Sequence, residues 1–213
     1  VAAETGSSCR ENGDYDKALQ NYGKALAIYK ETARQDSVAE VLGKIGSVYV
    51  MKDEKDNAIR YFQEAASIFK ETGQKLGEAM CLNNIGLTCI ARLDPEIALN
   101  HFLNALAIFR ELNSREDEAH QLGNIGSTYR DMGDKDRALE YYRESLAIFK
   151  ETGHQMGEAN ELSNVGYILA VKGDHYGALR YFKEALQLYQ ALEATAQAEM
   201  TQKNINILLK RSI

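Results

Sequence analysis

One side-chain type recurs along the 213 residues at a spacing that could do chemistry: asparagine at 84, 124, 164 and 204, with Lys44 in the same register 40 residues earlier. A primary amide offers a donor and an acceptor together, so a ladder of them can pair with the backbone of a peptide whatever its side chains. The same amides could instead bond to neighbouring helices and brace the surface that carries them; the sequence leaves both roles open. Other reactive residue types are present without the arrangement their chemistry needs. His101, His120, His154 and His175 are never within three or four residues of one another, so they are expected at solvated or edge positions rather than at a metal. Cys9, Cys81 and Cys89 are an odd number without metal-ligand spacing. Cys81 and Cys89 would lie about 12 Å apart along one helix, too far to bridge. Free thiols suit a reducing cytosol, and a cytoplasmic location is expected. No nucleophile–base pair and no glycine-rich phosphate loop can be proposed. The chain is read as a non-enzyme that needs no cofactor and no metal.

Bulk properties narrow the partners. The formal charge of −6 leaves no basic excess for nucleic acid or an anionic membrane surface. No apolar run approaches the ~20 residues of a membrane span. A single proline among many Ala, Leu, Glu and Lys residues points to an all-helical protein.

What positions the asparagines is a repeat. A shift of 40 residues aligns the whole chain without a gap: Gly6, Gly46, Gly86, Gly126 and Gly166 fall in one column, and Ala18, Ala58, Ala98, Ala138 and Ala178 in another. Tyr22, Phe62, Phe102, Tyr142 and Phe182 form an aromatic column. So regular a period marks an array of stacked units rather than one globular core.

Each unit reads as two helices. In the fourth, Leu122, Ile125, Gly126 and Tyr129 form one buried stripe at three- and four-residue spacing. Gly133 ends that helix in a left-handed turn and Asp134 caps the next, a pair repeated at Gly13-Asp14 and Gly173-Asp174. Ala138, Leu139, Tyr142, Leu146 and Phe149 turn inward on the second helix. Pro95 suits a first helical turn. Where Asp53-Glu54 and Leu93-Asp94 replace the Gly-Asp pair, the turns are expected to differ in geometry. The Gly and Ala columns are expected to let the two backbones approach, with the aromatic filling space towards the next unit. The run Arg115-Glu116-Asp117-Glu118 is expected to be solvated.

With its Gly numbered as position 8, each unit carries a small residue at 20 and an aromatic at 24, and three of the units carry Ile-Gly at 7–8. This resembles the tetratricopeptide repeat at its defining positions, over essentially the whole chain. The period is about six residues longer than the usual ~34, an excess assigned to the second helix. The longer form is similar to the repeats of kinesin light chains and of LGN/Pins-type adaptors. The resemblance implies an all-α, right-handed superhelical solenoid of helix pairs with a concave inner wall. Five units are counted, at about 1–34, 35–74, 75–114, 115–154 and 155–194, followed by a capping helix over 195–213. In that helix Asn204, Ile205 and Leu209 fit positions 6, 7 and 11, while Asn206 stands where the Gly would be. Because Val1 falls inside a unit, the chain is read as a piece of something longer.

On each first helix, positions 4, 7, 8 and 11 form the core stripe, and positions 2, 6, 9 and 13, flanked by 5 and 12, face the other way. In a stack of this kind the second stripe lines the concave wall. The expected peptide-binding residues are Lys44, Met80, Asn83, Asn84, Leu87, His120, Asn124, Ser127, Asn160, Asn164 and Tyr167. Arg92, Arg130 and Lys172 stand near helix ends without clustering, so no clamp for a terminal carboxylate is expected. The function expected is a protein–protein interaction module, scaffold or adaptor, that holds a peptide segment of a partner. The alternatives are a scaffold self-associating through its array ends, and a ligand-sensing regulatory domain of a larger protein.

Overall fold

Turn residues at 20-residue intervals cut the chain into helices of nearly equal length. The computed structural model describes residues 2–211, and among these it holds eleven helices and no strand. They are α1 (Ala2–Glu11), α2 (Tyr15–Glu31), α3 (Gln35–Met51), α4 (Lys55–Glu71), α5 (Lys75–Ala91) and α6 (Pro95–Glu111), then α7 (Arg115–Asp131), α8 (Lys135–Thr152), α9 (Gln155–Lys172), α10 (His175–Ala191) and α11 (Thr195–Arg211). Val1, from which the first unit was counted, and the final residues 212–213 lie outside the described residues. The chain divides into two compact units, Val1–Leu112 and Asn113–Ile213. Within each unit successive helices pack on one another. The two helices of a repeat are of nearly equal length, 17 residues in both α3 and α4 and 17 and 18 in α7 and α8. The 40-residue period is therefore shared between the pair, and its excess does not fall on the second helix alone.

Every turn passes through one left-handed residue. Gly13, Asp53, Leu93, Gly133 and Gly173 take positive φ inside the repeats, and Ala33, Gly73, Asn113, Gly153 and Glu193 do so between them. Asp53 (φ 59°) and Leu93 (φ 67°) thus share the geometry of the glycine turns instead of departing from it. The backbone explains why. Asp14 N–H donates to the Cys9 carbonyl, Glu54 to Tyr49, Asp94 to Cys89, Asp134 to Tyr129 and Asp174 to Leu169, all at 2.8–3.0 Å. Each bond satisfies a carbonyl of the ending helix, and the next helix is held in place by packing. The turn is dictated from both sides, and a non-glycine residue accepts the strain. Side-chain caps are less uniform: Asp134 and Asp174 accept from the backbone N–H of Arg137 and Gly177, whereas Asp14 bonds the Lys17 ammonium instead.

The core of each pair is built on the glycine column. A Cβ placed on Gly126 would lie 2.8 Å from Tyr142 Cδ1, and one on Gly46 would lie 2.8 Å from Phe62 Cε1. The aromatic therefore lies flat over the glycine of its own repeat. The missing Cβ makes room for the ring, which also faces the next repeat as expected: Tyr22 shares a buried cluster with Val41, Ile45 and Val48 of α3. Around it Ala18, Tyr22, Val41, Ile45 and Val48 form one buried cluster, and Val38, Leu42, Ala65 and Phe69 form the next. Leu146, Leu162, Ala185 and Tyr189 continue the pattern in the second unit. Glu118 is also buried and pairs with Arg115, so that charged run is not wholly solvated. In α11 the buried residues among those described are Thr201, Ile205 and Leu208, while Leu209 is 47% exposed because no following helix covers that face among the described residues.

Two substitutions probe these devices. Gly126→Leu forces a side chain into the Tyr142 ring and should lower stability by at least ~1–3 kcal/mol in a denaturant melt. Leu93→Gly removes the left-handed strain of an exposed residue and should raise the melting midpoint, by roughly 1 kcal/mol of stability; an unchanged midpoint would mean that the turn carries no strain.

Candidate functional site

Helix geometry places the asparagine column on the side of each first helix turned away from the packed glycine. Lys44, Asn83 and Asn84 in the first unit, and Asn124, Ser127 and Asn164 in the second, are half-buried; Met80, Leu87, His120, Asn160 and Tyr167 are exposed. Two of the eleven residues come together in the first unit: Asn84 and Leu87 share an apolar recess of about 260 Å3 with Val50, Met51 and Phe62, while Lys44, Met80 and Asn83 do not line it. Thr88 and Ala91 of the same helix complete its share of the lining, and the Thr88 hydroxyl donates to the Asn84 carbonyl.

In the second unit five expected residues converge. His120, Asn124 and Ser127 from α7 and Asn160 and Asn164 from α9 surround one polar hollow of about 350 Å3. Tyr167 does not join them. It lines a separate apolar recess of about 180 Å3 with Val171, Phe182, Asn204 and Ile207. The two apolar recesses occupy the same register of their repeats, each over the Phe of position 24 and each beside a column asparagine. Where position 24 is tyrosine the ring hydroxyl is spent on the wall: Tyr22 donates to Ser7 and Tyr142 to Ser127, both at 3.0 Å. Phe62 and Phe182 have no hydroxyl to offer, and an apolar hollow results.

The asparagines are partly engaged. Asn160 Oδ1 accepts from the Tyr189 hydroxyl at 2.8 Å, which ties α9 to α10. Asn164 Nδ2 donates to Glu161 Oε2 at 3.1 Å, one turn back on its own helix. Bracing a neighbouring helix thus accounts for Asn160 and not for that bond of Asn164. The cations near the helix ends are engaged as well. Arg92 pairs with Asp56 and Asp94, Lys172 with Asp136, and Arg130 with Asp131.

Sequence reasoning missed four residues of the polar hollow: Gly123, Glu161, Ser163 and Tyr189. Glu161 is the consequential one. It stands at position 3, between the core stripe and the wall, where the other repeats have Val41, Cys81, Gln121 and Thr201, all buried. The signal was a charge in an otherwise uncharged column. The residue is 6% exposed, and burial pushes its carboxyl up to about 7, against the Asn164 amide and the Ser145 hydroxyl, which favour the ionised form. Ser145 has one hydroxyl hydrogen, and the Ala119 carbonyl 2.8 Å away competes for it. His120 is held below its usual value, first by burial and then by His154, whose ring centroid is 5.7 Å away. The fold thus brings together two histidines that lie far apart in sequence. His154 Nδ1 accepts from the Gly157 N–H and caps α9. Among the described residues no group of three His, Cys, Asp or Glu side chains is arranged to hold a metal ion. No helix there is long and apolar enough to cross a membrane.

Glu161 makes stability depend on pH in a definite direction. Its folded value of about 7 lies above the ordinary 4.5, so the fold binds its proton more tightly than the unfolded chain does. The contribution is whole below pH 4.5 and is lost as pH rises through 7. Glu161→Gln does not titrate. Its stability relative to the parent should therefore grow across that window and level off above it, by about 3 kcal/mol in all. Melts of both proteins from pH 4 to pH 8 check this; parallel curves would refute it.

Models of the tetratricopeptide repeat match residues 4–71 and 77–151, and a further one matches residues 162–193. A comparison with curated protein sequences finds no match. Among solved structures, the apo form of RapI superposes with a TM-score of 0.87 at 22% identity, covering 94% of this chain and 73% of that one. The nearly identical repeats of a kinesin light chain-like protein of Podosopora anserina give 0.72 at 15% identity, covering 92% and 95%. A Rap protein complexed with competence and sporulation factor gives 0.64 at 16%, covering 99% and 74%. These likenesses extend over most of each chain and concern the fold. With the repeat models matched over more than half of the sequence, the chain belongs to the tetratricopeptide repeat family.

Proposed function

We propose that the chain is a protein-interaction module whose first helices hold a peptide segment of a partner. The observation that carries this is the repeated juxtaposition of a column asparagine with an apolar recess, Asn84 beside Met51 and Leu87 in the first unit and Asn204 beside Tyr167 and Ile207 in the second. An amide can take a peptide group of the bound segment, and the recess beside it can take an apolar side chain. The polar hollow of the second unit adds Asn124 and Asn164, with His120 and Ser127 at its edge. Exposed apolar side chains such as Met51 and Met80 are tolerated singly on any surface. Here Met51 and Leu87 line one recess, which gives them a common occupant. The Rap protein complexed with competence and sporulation factor offers a parallel of the same fold with a bound factor. A scaffold of this kind performs no reaction, and binding is its whole activity.

The test is a random peptide library screened against the intact chain and against a variant with Asn84, Asn124 and Asn164 all changed to alanine. Peptides retained by the parent should bind the variant at least tenfold more weakly while its melting curve still shows a folded protein. Equal affinity would remove the asparagines from the site, and no retained peptide at all would remove the peptide-binding reading.

A further inference from the structure

The polar hollow of the second unit has an electrostatic imbalance that the peptide-binding reading does not use. Glu161 reaches across from α9 towards α7, and a Cβ on Gly123 would sit 2.4 Å from its Oε1. Only a glycine at 123 leaves room for the carboxyl there. The equivalent Gly43 of the second repeat has nothing within 4 Å of its missing Cβ, so the close approach is particular to this repeat. Glu161 as a residue is 6% exposed and belongs to the lining of the hollow. It receives one amide hydrogen bond, from Asn164, and shares the Ser145 hydroxyl with the Ala119 carbonyl. No cation among the described residues acts on it.

A buried carboxylate with so few donors is costly, and a cation brought to it relieves the cost. The rest of the hollow suits such a visitor. Asn124, Asn160 and Ser163 supply neutral polar groups around the opening, and His120 is turned towards its uncharged form by burial. No fixed positive charge lines the hollow to repel one. The space, about 350 Å3, is ample for a guanidinium or an ammonium group.

We infer that the second unit selects a bound segment carrying a cationic N–H donor, which enters the polar hollow and takes Glu161 as its counter-ion. The inference rests on the peptide-binding reading and makes it specific: the asparagines hold the backbone of the segment, and Glu161 chooses one of its residues. A guanidinium would present two parallel N–H groups to the carboxylate, an arrangement stronger and more directional than a single ammonium contact. The cation has three possible carriers, an arginine side chain, a lysine side chain and the free amino terminus of the segment.

The test uses peptides retained by the parent chain from a random library. Each is remade with arginine replaced by citrulline, with lysine replaced by glutamine, and with its amino terminus acetylated. Affinities are measured for the parent, for Glu161→Gln and for Asn124→Ala/Asn164→Ala. One of the three peptide changes should weaken binding to the parent by roughly ten- to a hundredfold, and so should Glu161→Gln. The two losses should not add when combined, because they remove the same pair. The change that produces the loss identifies the carrier of the charge. Glu161→Gln keeps the size of the side chain, and an intact melting curve separates a lost counter-ion from a lost fold. Peptides that bind both proteins equally, yet fail on Asn124→Ala/Asn164→Ala, would overturn the inference and leave the peptide-binding reading standing. If the library yields no peptide, both fall.

Discussion

The contact between the glycine of each first helix and the aromatic ring of the second is the constraint on which the other features depend. A ring seated on Gly126 or Gly46 sets how closely the two helices approach, because a single Cβ would already collide with it. That distance fixes which residues face inward. Ala138 and Tyr142 are fully buried on one helix and Leu122 and Ile125 on the other. It also fixes which residues cannot be buried, and the asparagine column is the opposite face of the same first helices. The wall is thus a consequence of the packing rule and is repeated as often as that rule is.

Variation in the aromatic column then writes differences onto the wall. A tyrosine at position 24 carries a hydroxyl through the helix pair to the serine at position 9, as Tyr142 does with Ser127, and the surface there is polar. A phenylalanine ends short, and over Phe62 and Phe182 the surface hollows into apolar recesses. Core and outer face are therefore coupled through one residue: changing a ring that packs on a glycine also changes the polarity and relief of the opposite surface. The same coupling operates at Gly123, where omitting one Cβ admits the Glu161 carboxyl into a column otherwise buried and uncharged.

The turns show how a repeat tolerates sequence drift. Ten left-handed residues punctuate the described chain, and five of them are not glycine. Local preference alone would have given the Asp53 and Leu93 turns a different path. Their geometry is instead imposed by hydrogen bonds to the ending helix and by the packing of the next. Tertiary structure overrides a cost of roughly 1 kcal/mol per turn because each helix buries several large side chains.

What the amino-acid sequence determined unaided is everything that follows from periodicity. The helix pairs, the buried stripe through Leu122, Ile125 and Tyr129 and the outward-facing asparagines are functions of spacing along one helix, which a linear text records. The helix bounds lie close to the spacing of the turn residues for the same reason. What only the tertiary structure decided concerns residues far apart in the chain. It seats each ring over the glycine of its own repeat, divides the chain into two compact units, and brings His120 beside His154. It also places Glu161 of one repeat against Gly123 of the repeat before. Position 3 falls between the two stripes of the helix, so periodicity assigns it to neither. Its environment depends on the size of one side chain on another helix, and that is settled only when the helices pack.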